Sequence, residues 1–305
     1  MLGNSGLSIF GDDRAGTNLS VMSGMANSVF YVDTAANGGS DSNSGRSPSD
    51  PLLTIAAAWA LCTTNKNDYI FVINGSTADT EPITPTIATL HIIGMGMGPA
   101  PLQVCLTASA DTGVFTLGSA APKTEIAGFC LGGGANHGGI VTSGSPYGLW
   151  IHHNQFGHEF NGAATPKYGI ETNTAPTGAS YSVIEDNIFL GTDGTASPGK
   201  IDANGILAYG CKGLVLKRNV FLGIPGINVQ ITDAVKCIIM DNQFALDGNT
   251  TGRALTLAGA CYSCWINGNH ANFGKTAMAA VPWADSQTDN HWGANYNGDG
   301  IAYPA

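Results

Sequence analysis

Three pairs of neighbouring polar residues could do chemistry, and they recur in one setting. His152-His153, Glu185-Asp186 and Lys217-Arg218 each stand directly ahead of an Asn-x-Phe triplet, and Met240-Asp241 takes the same place once more. Carboxylates beside a basic residue are the raw material of acid–base work on a glycan, or of cation binding. Opposite charges alternating from copy to copy are equally the material of an ion-pair ladder. The succession Glu185, Lys217 and Asp186, Arg218, Asp241 favours the ladder, and under the enzymatic alternative the same four residues, Glu185, Asp186, Arg218 and Asp241, form the catalytic group. His152 and His153 could bind a sugar, but no His-x-His with a converging carboxylate accompanies them, so no metal site is expected and the histidines read as solvent-facing. Trp283 and Trp292, with Tyr296, offer either a stacking platform for carbohydrate or a plug for one end of the fold.

Residues so far apart meet only if the elements carrying them are stacked. Five copies of one motif align on Asn154, Asn187, Asn219, Asn242 and Asn269, which are 33, 32, 23 and 27 residues apart. Three places earlier stand Ile151, Ile184, Leu216, Ile239 and Ile266; two places later stand Phe156, Phe189, Phe221, Phe244 and Ala271. A second motif precedes each copy: Gly139-Ile140-Val141, Gly169-Ile170-Glu171, Gly205-Ile206-Leu207, Gly226-Ile227-Asn228 and Ala254-Leu255-Thr256. Constant cores separated by elastic gaps describe coils with a fixed wall and variable loops, notably 157–168 and 190–204. A short strand cannot bury its apolar side alone, but it can when stacked about 4.8 Å from its counterpart in the next coil. The pattern predicts an all-β chain, a single-stranded right-handed parallel β-helix with Ile and Phe in interior files. The asparagines fall at turns, where they tolerate left-handed backbone and can share side-chain hydrogen bonds in a structural ladder.

Composition agrees. Charged residues make up 11% of 305 residues and Gly numbers 42, a profile unsuited to a helical bundle and suited to short strands and tight turns. Twelve Lys and Arg against 22 Asp and Glu, a net charge of −10, argue against a nucleic-acid partner. No apolar run approaches the roughly 18 residues of a membrane span. Seven cysteines, an odd number and mostly far apart, read as reduced and buried; Cys261-Tyr-Ser-Cys264 lacks the second pair or the histidines that a zinc site needs. The first residues carry neither a basic nor an apolar region of an export signal. Residues 1–28 read as an extended arm, 29–280 as the β-helix, with a capping helix over Pro51–Cys62, and 281–305 as a C-terminal cap or extension.

The Φ-x-x-Asn-x-Phe coils resemble the parallel β-helix repeat of pectate-lyase-like proteins. So does the stretch from Phe30 to Gly94, with Tyr-Val-Asp, a Gly-Ser-Asp-x-Asn-x-Gly loop at Gly39–Gly45, Ser-Pro, and Ile-Ile-Gly at 92–94. That scaffold serves phage tail spikes and other virion proteins as well as secreted polysaccharide-active enzymes. The resemblance implies a clustered-acid and arginine site in the lyases, for which Arg218 is the one match among the coils; the four polygalacturonase motifs are absent as a set, as are those of pectin methylesterases. The resulting expectation is a non-enzymatic virion surface protein of a phage, a decoration, cement or spike component that folds in the host cytoplasm. It would act without cofactors and pair with itself, as a trimer, and with other virion proteins through arm and cap. The alternative is a polysaccharide lyase, hydrolase or tail-spike depolymerase acting on host glycan, secreted if free.

Overall fold

The computed structural model describes residues 28–74, 79, 81–95, 104–108, 111–157, 165–172, 178–192, 199–245, 253–272, 283–286, 289–297 and 302–303. Residues 1–27 of the arm lie outside them, as do 158–164 and 193–198 of the variable loops. The described strands form three sheets, a first of ten, a second of seven and a third of nine members, each adding one strand per coil. Every pairing between coils is parallel except the last, where Ala302–Tyr303 runs antiparallel to Asn295–Asn297. The chain is a parallel β-helix. Each coil runs from the second sheet (Ile227–Thr232, for example) to the first (Ile238–Met240) and then the third (Gln243–Ala245).

The files form as the spacing predicts. Ile151, Ile184, Leu216, Ile239 and Ile266 are register partners in sequence along the first sheet, and all are buried. Phe156, Phe189, Phe221 and Phe244 stack in the third sheet with ring centroids 4.7, 4.6 and 5.0 Å apart. The glycines of the second motif make room for these rings: a Cβ on Gly169 would stand 2.5 Å from the Phe189 ring, and one on Gly205 would stand 2.6 Å from that of Phe221. Each buried asparagine donates from Nδ2 to a carbonyl of the preceding coil and to Oδ1 of the next asparagine, at 2.8–3.2 Å. A sixth rung, Asn295, continues the ladder. At the other end it stops where Phe129 holds the asparagine's place and donates its N–H to Asn154 Oδ1 at 3.1 Å.

Three expectations are corrected. The coil stack continues past residue 280, because Trp283–Asp285, His291–Trp292 and Asn295–Asn297 add a further strand to each sheet. The partner of Ile206 is Val229, not Ile227; a two-residue slip keeps the same face inward, so alternation alone does not reveal it. The capping helix is shorter than Pro51–Cys62. It spans Ile55–Ala60, with Thr54 as N-cap accepting from Ala57 N, and Pro51 precedes it. Its Ile55 is buried, and Trp59 and Cys62 pack on the core at the N-terminal end. Leu52 closes the same end by bridging to Val32.

Candidate functional site

The outer face of the first sheet gathers the polar pairs singled out above, because residues flanking each inward Ile point away from the core. One outward file runs Tyr69, His91, Glu125, Trp150, Val183, Val215, Ile238 and Trp265; the next runs Ala127, His152, Glu185, Lys217 and Met240. Glu185 therefore lies between His152 and Lys217, one rung from each. Its Oε2 meets Lys217 Nζ at 2.9 Å and Arg218 Nη2 at 2.6 Å. Arg218 also grips Asp186 bidentately, through Nε at 2.8 Å and Nη2 at 2.6 Å. Asp186 pushes the guanidinium's pKa further up. Burial raises the Glu185 carboxyl, but the bonds from Lys217 and Trp150 outweigh it and hold the group below the usual carboxylate range. Asp241 is the exception in this cluster. It is exposed, and no ion pair among the described residues joins it to Arg218, whose donors all turn back to the preceding coil.

A residue not anticipated from the sequence, Glu125, sits at the centre of the neighbouring cluster. Its carboxylate is bridged by two imidazoles, His91 Nδ1 on Oε2 and His152 Nε2 on Oε1, the latter at 2.7 Å. Burial pushes this carboxyl up, and the two histidine bonds more than reverse it, bringing it down to about 2. His91 is fixed further by Asn67 Oδ1 at 2.8 Å and by stacking on Tyr69, at 4.1 Å between centroids. Burial, with Glu125 nearby, lifts the Tyr69 phenol to about 12. His152 corrects the solvent-facing reading: it is 1% exposed, roofed by Trp150 at 4.0 Å and in contact with His153 between their Nδ1 atoms at 2.8 Å. Trp150 remains 37% exposed, and its Nε1 donates to Glu185 Oε1 at 2.8 Å. The signal that locates Glu125 was present, since Ile126 and Leu131 keep the five-residue interval of Ile151 and Phe156. Phe129 in place of asparagine hid that coil.

The other candidates lie elsewhere. Trp283 is 2% exposed and wedged edge-on against Phe244 and Trp292, at 5.9 and 6.3 Å. It closes the core and offers no platform. Trp292 is half-buried, with Nε1 on Asp285 at 2.8 Å. His137 pairs with Glu171 at 3.1 Å beside the second sheet. Among the described residues no group of His, Cys, Asp and Glu converges on a cation position. None of the seven cysteines forms a disulfide, and Cys261 and Cys264 are buried in the wall. No described helix is long and apolar enough to cross a membrane.

No family model matches the chain, and no curated protein matches it in sequence. Solved structures do. A rhamnogalacturonan lyase superposes at TM-score 0.51 and 13% identity, over 89% of this chain and 73% of its own. A pectate lyase gives 0.42 and 13%, over 92% and 82%. The ORF18 protein of Geobacillus virus E2 gives 0.38 and 14%, over 93% and 63%. At these identities the likeness is one of fold, that of the parallel β-helix.

Proposed function

We propose that this chain is a virion surface protein of a phage that holds host glycan against the outer face of its first sheet without hydrolysing it. Trp150 carries the reading. Its indole is partly open to water, pinned through Nε1 to Glu185 and by stacking on His152, and linked through Glu185 to Arg218 and through His152 to His153. A rigid aromatic face loses little freedom on binding and suits the apolar face of a sugar ring, with charged groups at hand for its hydroxyls. Hydrolysis by paired carboxylates needs one carboxyl kept protonated near neutrality. Glu125 and Glu185 are instead held ionised by their partners, so neither supplies that proton. Seven cysteines outside any disulfide suit folding in the reducing cytoplasm of a host. Self-association, as a trimer, and contacts with other virion proteins belong to the same proposal.

The test is affinity electrophoresis of the purified protein through host polysaccharide, with parallel assays for new reducing and unsaturated chain ends. Retardation without new ends is expected, and Trp150→Ala should abolish it while leaving the circular dichroism and Tm in place. New ends would replace binding by cleavage. Unretarded migration in every host polysaccharide would remove the glycan altogether.

A further inference from the structure

Two cysteines stand at one register position of neighbouring coils. In the third sheet, Val104–Thr107 runs parallel to Phe129–Gly132, and Cys105 is the partner of Cys130. Val104, Leu106, Phe129 and Leu131 belong to the core, so the two cysteines between them share the outer face. Register partners on adjacent strands lie about 4.8 Å apart. A disulfide spans roughly 4.4–6.8 Å between Cα atoms, so the backbone needs no rearrangement to accept one. The sulfurs already meet, with the Cys130 thiol donating to the Cys105 sulfur. That bond holds Cys105 below the usual thiol range and, together with burial, raises Cys130. Cys105 is half-buried, and Cys130 is 1% exposed, with Gln155 Nε2 at 3.9 Å from its Sγ.

The other five cysteines lack this combination. Cys237 and Cys264 also share a hydrogen bond, but both are buried in the core. Cys211 and Cys261 are enclosed with them. Cys62 is half-buried, but burial lifts its thiol to about 12, and it donates to Ala58 O at 3.4 Å. Among the described residues, Cys105 alone joins access to solvent, a thiol poised toward its thiolate and a second sulfur in contact. Its strand is also the first of the third sheet, paired among the described residues on one side only.

We infer that Cys105 and Cys130 form a redox site whose closure to a disulfide, once the chain leaves a reducing compartment, staples the edge strand of the third sheet to its neighbour. The oxidant is a small-molecule disulfide. The Cys105 thiolate attacks one of its sulfurs and expels the other; the Cys130 sulfur, giving up its proton, then attacks Cys105 in the mixed disulfide and expels the second. The two protein sulfurs are oxidised, the two of the reagent are reduced, and the two thiol protons end on the two small thiols released. Neither sulfur takes part in the glycan reading, so each can fail alone. The full chain, purified under reductant and then freed of it, is treated with oxidised glutathione at mildly alkaline pH and followed by mass, non-reduced peptide map and Tm. A loss of two hydrogens, a Cys105–Cys130 peptide and a Tm raised by roughly 5 °C are expected, all reversed by dithiothreitol. Cys130→Ser, which removes the second sulfur, should leave Cys105 holding glutathione, and Cys105→Ser should take up none. Iodoacetamide on the untreated parent should alkylate Cys105 ahead of the other six. Retention of all thiols, a link between other cysteines, a lasting mixed disulfide in the parent or earlier alkylation of Cys62 would overturn the site. A Cys105–Cys130 link with Tm unchanged would overturn the staple.

Discussion

Two turns border the first sheet, and they hold the coils together by different means. In the turn toward the third sheet, the side chain is the connector. Asn154, Asn187, Asn219, Asn242, Asn269 and Asn295 are 0–2% exposed, and each but the last gives its Nδ2 to the next residue of the file. In the turn from the second sheet, backbone bonds join the rungs, with side-chain acceptors such as Ser180 Oγ, which takes Lys212 N at 3.2 Å, and Lys123, Tyr147, Tyr181, Lys212, Lys236 and Tyr262 stand in solvent. From Asn154 to Asn295 the first turn therefore holds one residue type, and the second holds many. The asparagine repeat does structural service from Asn154 to Asn295, whereas the positions of the open turn, with Lys123, Gly148, Tyr181, Gly213 and Lys236 at one and Tyr147, Ser180, Lys212, Val235 and Tyr262 at the next, carry no such constraint.

The contrast breaks most visibly on the buried side. Phe221 lies between Phe189 and Phe244 at 4.6 and 5.0 Å, so Phe221→Ala opens a cavity that the wall cannot close and should cost about 3–5 kcal/mol. Chemical denaturation should register that loss, while Lys212→Ala on the open turn stays within about 0.5 kcal/mol. Asn219→Ala should follow closely, at about 3 kcal/mol. It takes the acceptor from Asn187 N and Nδ2 and the donor from Ile184 O and Asn242 Oδ1, all in the interior. A cost below about 1 kcal/mol would mean that the asparagines are tolerated rather than needed, and the contrast between the turns would fall.

The same contrast explains what could be read from residues alone. The Ile and Phe files were legible because a side chain that must stack on its own kind repeats at fixed spacing. The Glu185–Lys217–Arg218–Asp186 network was legible in its membership, since charges at one register position of adjacent coils must meet. Glu125 and His91 were not, because the early coils lack the asparagine that marks the register: Phe129 takes its place in one and Met95 in the other. The cationic and aromatic turn was not legible either. Its residues share no letter, and only the backbone bonds show which of them are in register. Trp283 misled for the opposite reason: an aromatic near a chain end looks exposed in sequence, but here another coil had still to be wound.

Acid should sharpen the comparison within the first sheet itself. The Glu125 carboxyl sits at about 2 in the folded chain against an ordinary value of 4.5, so the folded state binds its proton later than the unfolded state does. That difference stabilises the fold above the ordinary value and is lost as the pH falls from about 4.5 toward 2, by about 3 kcal/mol in all. Glu125→Gln should lower stability at neutral pH and flatten the decline of Tm with acid over that interval. Lys236→Gln, on the open turn, should leave the decline as it is. An unchanged acid profile in Glu125→Gln would show that the two histidines do not hold the carboxylate.

The smallest effect on stability is the most discriminating one. Tyr181 keeps a bulky side chain at φ 55° with 60% of its surface exposed, where the next rung has Gly213. Tyr181→Gly relieves the left-handed strain but gives the unfolded chain more freedom, and these opposed terms should leave stability within about 1 kcal/mol of the parent. If the turn exists only to reverse the chain, glycine is as good a residue there and nothing else changes. If the turn presents a surface, the variant keeps its Tm and loses retardation in host polysaccharide. A residue that folding does not need and binding does is the signature of a recognition site, and Tyr181 is where the two demands are most cleanly separated.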